Sequence, residues 1–419
     1  MTVPHRSGKI HIIGAGLAGL SAAVQLTKAG YAVTLSEAAA QAGGRCRSYY
    51  DAAIDAVIDN GNHLVLSGNR AVQDFLKLTG ASDHLVGPQH AEFSFVDLND
   101  DTRWRLRPND GALPLWLLSA SRRVPGTKLG DYLAWRRLVN PPKGATIGEI
   151  APCDGPLWAR LMNPLLTSVL NTDPKISSAA LAGAVLKETL LRGGKSYAPR
   201  IAQPTLAAAF VEPALRYLAD HGADVRLGRR LRHMDSANAA VTTLHFADGD
   251  DVVAAGDKVV LATPAWVSGE LVPGLSVPTD FRAIVNAHFR IDPPKGAPTM
   301  TGVIGGTAEW IFCFEGRISV TVSAAEAILN EPREELANRI WTDITRTLRF
   351  EAALPPWQIV KEKRATFAAT PAEDAKRPGV TTALTNLLLA GDWTATGLPA
   401  TIEGALRSGE TAAAAVQHG

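Results

Sequence analysis

The 419 residues are 46% hydrophobic and 20% charged, with a formal net charge of +1. That balance fits a globular protein with core enough for two domains, and it excludes a nucleic-acid partner recruited by bulk charge. Three cysteines, Cys46, Cys153 and Cys313, without C-x-x-C spacing exclude a cysteine-rich zinc or iron–sulfur centre and point to a reducing compartment.

Residues Lys9–Ile13 form an apolar run of strand length that stops at Gly14. Gly14-Ala15-Gly16-Leu17-Ala18-Gly19 follows with G-x-G-x-x-G spacing. The first glycine serves a tight turn, the second lets backbone approach a pyrophosphate, and the third allows close helix–strand packing. Leu17, Leu20 and Val24 predict a helix whose N-terminus turns unpaired N–H groups and the positive dipole end toward phosphate. Gly30 ends it, and the run 32–35 leads to Glu37, where a carboxylate about 20 residues on binds ribose hydroxyls. Strand, turn, helix, strand and acid read together as a site for the ADP half of a dinucleotide. Gly43-Gly44-Arg45 adds a cation able to reach the pyrophosphate.

Further along, 66–204 is helical in pattern. Between 103 and 143 it carries Arg103, Arg105, Arg107, Arg122, Arg123, Lys128, Arg136, Arg137 and Lys143 against Asp110 and Asp131, interleaved with Leu113, Leu115, Trp116, Leu117, Leu118, Tyr132, Leu133 and Trp135. Basic residues beside Trp and Leu suit an interfacial segment, with Trp116 and Leu117 expected to meet the headgroup region of an anionic membrane. No signal-peptide shape and no apolar stretch of roughly 18 residues is visible, so a cytoplasmic protein, at most peripheral on the membrane, is expected. Residues 222–227 lead to Arg229-Arg230-Leu231, and after a turn at Asp248-Gly249 the run Lys258–Leu261 reads as a buried strand. Strands are predicted at 283–291, Trp310–Phe314 and 318–323. Gly302-Val303-Ile304-Gly305-Gly306 has the wrong spacing for a second dinucleotide loop, so electrons must come from an external donor. Near the end, Leu389-Ala390-Gly391-Asp392-Trp393 precedes Pro399-Ala400-Thr401-Ile402, where a helix begins with Ile402, Ala405, Leu406, Gly409, Ala413 and Val416 on one face.

The elements at the two ends, taken together, resemble the glutathione-reductase-like flavoproteins of the amine oxidase and phytoene (carotenoid) desaturase type. The resemblance implies an α/β fold in which a Rossmann-type FAD-binding domain is interleaved with an α+β substrate domain. The FAD domain would comprise 1–65, 205–269 and 381–419, and the substrate domain 66–204 and 270–380. FAD is the implied cofactor, with no metal. Gly43, Gly44 and Arg45 would contact it, Leu231 would lie against adenine, and Gly391 and Asp392 would meet the ribityl or phosphate groups. The amides at Thr401 and Ile402 would face the flavin N1–C2=O edge, which carries negative charge when reduced.

A finer likeness rests on Ile58-Asp59-Asn60-Gly61-Asn62-His63-Leu64, Leu170-Asn171-Thr172-Asp173, Ser177-Ser178-Ala179, Ile284-Val285-Asn286-Ala287-His288-Phe289-Arg290 and the segment 391–405. These are similar to the hydroxysqualene dehydroxylase family of bacterial hopanoid synthesis. Asn62 departs from its pattern, where glutamine is expected; the amide chemistry survives with shorter reach. The resemblance implies replacement of the hydroxyl of hydroxysqualene by hydride through an allylic cation. It puts Asn62 and His63 beside the flavin, with His63 as proton donor and His288 as a weaker candidate; Asp59 would shape the turn. An apolar tunnel is required, for which Trp266, Trp310, Phe312, Phe314 and Trp357 are candidates. The same fold could run oxidatively as a desaturase or amine oxidase, or serve as a flavin-free prenyl escort. Intact Glu37, Arg45 and Asp392 argue against the escort.

Overall fold

A computed structural model describes residues 8–418. Among these, five parallel strands form one sheet in the order Asp224–Arg226, Ala32–Ser36, Lys9–Ile13, Lys258–Leu261, Leu387–Leu389. The three central runs and the last are short and apolar because both faces of a parallel sheet are covered: Ile10, Ile12, Val33, Leu35, Val259, Val260 and Leu387 are all buried. Ile13 pairs with Ser36 on one side and Leu261 on the other, and Leu261 pairs with Leu389. The carboxyl ends of the strands are therefore level, where an open α/β sheet holds its ligands. Helices Leu17–Lys28 and Ile402–His418 pack closely on each other beside this sheet. Small residues make that approach possible: a Cβ on Gly409 would lie 2.3 Å from the Ala18 carbonyl oxygen. Ser21 Oγ donates to the Leu406 carbonyl at 2.9 Å. A separate antiparallel sheet, Leu231–Ala237, Ala240–Phe246 and Gly249–Val252, turns at Asp248-Gly249.

The second large sheet has seven strands in the order Trp357–Phe367, Phe281–Phe289, Arg317–Val322, Trp310–Phe314, Met300–Ile304, Phe93–Asp97, Thr102–Leu106. Strand alternation gives it two different faces. One carries Val285, Ala287, Phe289, Ile311, Ile318 and Val320 against Leu336, Ile340 and Ile344 of helix Arg333–Leu348. The other carries Phe93, Phe95, Leu106, Met300, Trp310, Phe312 and Phe314 in one apolar cluster with Trp116, Trp135, Trp158 and Leu166 of the helical segment. Residues 300–314 form a hairpin within this sheet: Gly305 turns with φ +76°, while a Cβ on Gly302 would lie 2.6 Å from the Phe95 ring and one on Gly306 2.7 Å from Asp343 Oδ2.

The segment 66–204 differs from its helical expectation. It supplies strands Phe93–Asp97 and Thr102–Leu106 to the sheet, and Pro199–Ala202 pairs with Leu64–Leu66. The expected boundary at 65/66 also cuts a packed unit. Helix Arg70–Thr79 buries Ala71, Val72, Phe75 and Leu76 in the same core as Leu20, Val24, Leu406 and Ala413. Among the described residues no helix is long and apolar enough to cross a membrane.

Candidate active site

The three glycines of the first turn do different work. Gly14 has φ +107°, and a Cβ there would lie 2.6 Å from the Ala262 carbonyl oxygen. On Gly19 it would fall 1.8 Å from the Gly14 oxygen. Both are demanded by the chain's own packing. A Cβ on Gly16 meets nothing within 4 Å, so this glycine leaves open space at the sheet's carboxyl end. The side chains of Ala15, Leu17 and Ala18 are buried in the core and leave only backbone to a ligand. Glu37 accepts from Ala15 N at 2.7 Å through Oε2 and from Ala39 N at 2.8 Å through Oε1. Its own backbone is fixed between Arg226 and Arg229. Two residues on, Leu231 opens its strand with a buried side chain.

Gly43, at φ +109°, donates its N–H to the Ala15 carbonyl at 2.8 Å, and Gly44 turns with φ +55°. This carries Arg45 across to the other end of the sequence. Arg45 donates to Asp392 Oδ1 at 2.7 Å and to the Ala365 carbonyl at 2.6 Å. Asp392 is held by a loop that folds tightly on itself: Gly391, at φ +151°, lies under the Trp393 ring and donates to Ser408 Oγ at 2.8 Å. Trp393 Nε1 donates to the Thr263 carbonyl at 2.9 Å. The buried guanidinium of Arg377 braces the same loop, donating to the Asp392 carbonyl at 3.1 Å and Thr396 Oγ1 at 2.9 Å. No sequence pattern marks Arg377. Thr401 caps the last helix by accepting from Gly404 N at 3.0 Å, which leaves the first amides, beginning at buried Ile402, outside the helix's own bonding.

Glu403, inside the same motif, points elsewhere. Its two oxygens accept from Ala71 N at 3.1 Å and Val72 N at 3.0 Å, capping helix Arg70–Thr79 from a distance. An open backbone cradle at Gly16, a carboxylate at Glu37, the Arg45–Asp392 pair and a helix N-terminus on one sheet edge suit the adenosine, pyrophosphate and flavin parts of FAD in turn.

The segment 59–63 crosses from this edge to the seven-stranded sheet. Asp59 is more than a turn former: its buried carboxylate accepts from Ser48 Oγ at 2.6 Å and Leu206 N at 2.9 Å, and faces Arg317 at 3.6 Å. Burial raises its pKa against those bonds. Asn62 Nδ2 donates to the Val320 carbonyl at 3.3 Å and to Thr321 Oγ1 at 3.2 Å. The protein packed around His63, with the positive Arg45 adding to it, lowers the imidazole pKa to about 4, so the ring is neutral at pH 7. His288 is fully buried, shares a hydrogen bond with Ser319 Oγ at 2.9 Å, and is pushed down to about 3 by burial. It is a core histidine.

From Asn62 a single register row runs across the sheet. Asn286 faces Thr321, Thr321 faces Trp310, Trp310 faces Gly302, Gly302 faces Phe95, and Phe95 faces Trp104. Polar side chains occupy its near end and aromatic rings its far end. Phe95 stacks on Trp104 with centroids 5.3 Å apart and meets Trp310 edge-on at 5.6 Å. Trp310, Phe312 and Phe314 therefore lie on this wall, joined by Phe93, Phe95 and Trp104, which the sequence reading missed. Trp357 is a correction: it packs with the cluster on the opposite face, against helix Arg333–Leu348. Trp266 is on a different element, edge-on to Phe281 at 5.0 Å under Arg364.

Residues 17–417 match the family described as flavin containing amine oxidoreductase. The chain is 53% identical over 409 residues to a hydroxysqualene dehydroxylase of Rhodopseudomonas palustris, covering 97% of this chain and 98% of that one. It is 50% identical over 406 residues to a hydroxysqualene dehydroxylase of Sinorhizobium fredii, covering 96% and 97%. Among solved structures, cyclohexylamine oxidase from Brevibacterium oxydans superimposes with a TM-score of 0.69 at 16% identity, covering 98% of this chain and 99% of that one. At that identity the likeness is one of fold.

Proposed function

The chain belongs to the flavin-containing amine oxidoreductases and, within them, to the hydroxysqualene dehydroxylases; as such it is an FAD-dependent oxidoreductase that dehydroxylates hydroxysqualene, and we propose how its residues do so. The observation that carries the proposal is the register row, which joins the His63 loop to an aromatic wall. The substrate's allylic C–O bond breaks, its hydroxyl leaves with one proton as water, and a C–H bond forms in its place. Reduced FAD, when bound, supplies the hydride. Glu37 would hold ribose, Arg45 and Asp392 the middle of the cofactor, and the amides near Thr401 and Ile402 its flavin edge.

His63 protonates the departing hydroxyl. With a pKa of about 4 its protonated form is a strong acid, populated at roughly one part in a thousand at pH 7. The rings of Trp310, Phe312, Phe314 and Phe95 exclude water from the polyprenyl chain and offer π faces to a developing allylic cation. An external reductant recharges the cofactor. Anaerobic incubation with hydroxysqualene and chemically reduced FAD should yield squalene without oxygen. Sustained peroxide formation with an amine, or a new double bond in a polyene, would reassign the chain to an oxidative role.

We also propose that the protein takes its apolar substrate at a membrane surface. Leu113, Leu115, Leu118 and Leu133 are 71%, 59%, 69% and 56% exposed. Arg122, Lys128, Arg136 and Arg137 are exposed beside them and form no ion pair among the described residues. Leucines flanked by unpaired cations suit an anionic headgroup layer. Trp116, expected to dip into the membrane, is instead buried, edge-on to Tyr132 at 5.7 Å, because it belongs to the cluster that includes Phe95 and Trp310. Arg105 and Arg107 are exposed but not free, being paired to Glu92 at 3.5 and 2.7 Å. The apolar cluster runs without a break from beneath the exposed leucines to the aromatic wall, which supports this face as the entrance.

A further inference from the structure

Asn286 is a buried asparagine in the middle of strand Phe281–Phe289, between Val285 and Ala287 on the opposite face. Burying an amide there is unfavourable unless each polar atom finds a partner, and each does. Nδ2 donates to the Asn60 carbonyl at 3.3 Å. Oδ1 accepts from Thr321 Oγ1 at 2.8 Å and from the Asn62 N–H at 3.4 Å. Thr321, directly opposite in register, also accepts from Asn62 Nδ2 at 3.2 Å. The fit leaves no slack: a Cβ on Gly61 would lie 2.8 Å from Asn286 Nδ2. The loop is thus gripped at residue 60 by its carbonyl, at 61 by contact, and at 62 by both N–H and side chain. The next residue is His63, whose ring makes no hydrogen bond to protein among the described residues, so its position is inherited from the backbone before it. Two valines would fill the same positions on the sheet without any of these bonds.

We propose that Asn286 and Thr321 are positioning residues for His63, acting through the 60–62 loop; the inference rests on the proton-donor reading given above. A misplacement of the order of 1 Å at a reacting group lowers a rate by about 100-fold. In the FAD-loaded enzyme, Asn286→Ala and Thr321→Val should slow single-turnover dehydroxylation roughly 10- to 100-fold, with KM and the flavin absorbance unchanged. Thr321→Ser, which keeps the hydroxyl, should recover most of the rate lost in Thr321→Val. The deciding measurement is the combination with His63→Ala. If the clamp works through His63, adding Thr321→Val or Asn286→Ala to His63→Ala should lower the rate no further. Multiplying losses in the double variants, or a Thr321→Ser enzyme as slow as Thr321→Val, would overturn the clamp while leaving the proton donor standing. A His63→Ala enzyme of full rate would overturn both. Thr321→Val is nearly isosteric, so it keeps the test open if Asn286→Ala does not fold.

Discussion

Arg45 and Asp392 stand 347 residues apart in sequence and 2.7 Å apart in space. Their ion pair joins the two ends of the sequence, with the Asp392 side chain buried and the Arg45 side chain 44% exposed. Replacing Arg45 with Met leaves Asp392 buried and unpaired, so both FAD retention and apoprotein stability should fall. If Glu37 holds ribose, Glu37→Ala should weaken FAD by about 1.5–3 kcal/mol, with a smaller loss of apoprotein stability from its bonds to the Ala15 and Ala39 N–H groups. The FAD-to-protein ratio after gel filtration, together with apoprotein melting, separates the two. Equal FAD retention by both variants and the parent protein would remove these residues from the site.

The glycines of the first turn predict opposite phenotypes for one chemical change. Gly19→Ala should give little folded protein, since its methyl would collide with the Gly14 carbonyl. Gly16→Ala should fold normally, since its methyl enters open space, and should bind FAD more weakly if the pyrophosphate uses that space. Circular dichroism and flavin titration on both proteins check this. Undiminished FAD affinity in Gly16→Ala would place the cofactor elsewhere.

For His63 the sign of the pH effect follows from its lowered pKa. Protonation is rare at pH 7 and completes only below about 4. If His63 delivers the proton, the single-turnover rate should rise about tenfold per unit as pH falls from 7 toward 5. His63→Ala should lose about 10²–10⁴ in rate together with that slope, while retaining its flavin spectrum. A flat profile in the parent enzyme, or an unaltered slope in the variant, would assign the proton to another group.

Binding to anionic liposomes should depend on Leu113, Leu115 and Leu118, not on Trp116. Changing the three leucines to Ser should weaken co-sedimentation without lowering the melting temperature, and added salt should weaken it further. Trp116→Ser should behave in the opposite way, losing stability by about 3 kcal/mol or more as a buried aromatic is removed. Equal liposome binding by the triple variant would defeat the docking face.

Much of the nucleotide-binding unit was legible because its signals are local: Gly14, Gly16 and Gly19 sit within six residues, and Glu37 closes the next strand. The C-terminal candidates Gly391, Asp392, Thr401 and Ile402 were read only through resemblance, since nothing near Asp392 shows that Arg45 will reach it. Arg377 and Glu403 escaped for the same reason. Each side chain is defined by a loop or helix far from it in sequence, and an isolated Arg or Glu has no period to betray it. The hairpin 93–106 was missed although it alternates: Phe93, Phe95 and Asp97 on one arm, Thr102, Trp104 and Leu106 on the other, around Asn99-Asp100-Asp101. The helical pattern around it masked a period-two signal only five residues long. Trp357 was misplaced because an aromatic on a strand does not tell which face is inward; the pairing of Phe289 with Trp357 decides that.

The central parallel sheet has a consequence for how the protein comes into being. Strand Lys9–Ile13 leaves the ribosome some hundreds of residues before its neighbour's partner Leu387–Leu389 and the covering helix Ile402–His418. Until then the face of helix Leu17–Lys28 that Gly409 and Leu406 will cover is bare, and Arg45 has no carboxylate to meet. A nascent chain therefore lacks one edge strand of this sheet and one covering helix until residues 387–418 are made. It must remain unaggregated, with a half-clothed apolar sheet, until those later segments are made, which makes chaperone supply an expected limit on yield in a foreign host.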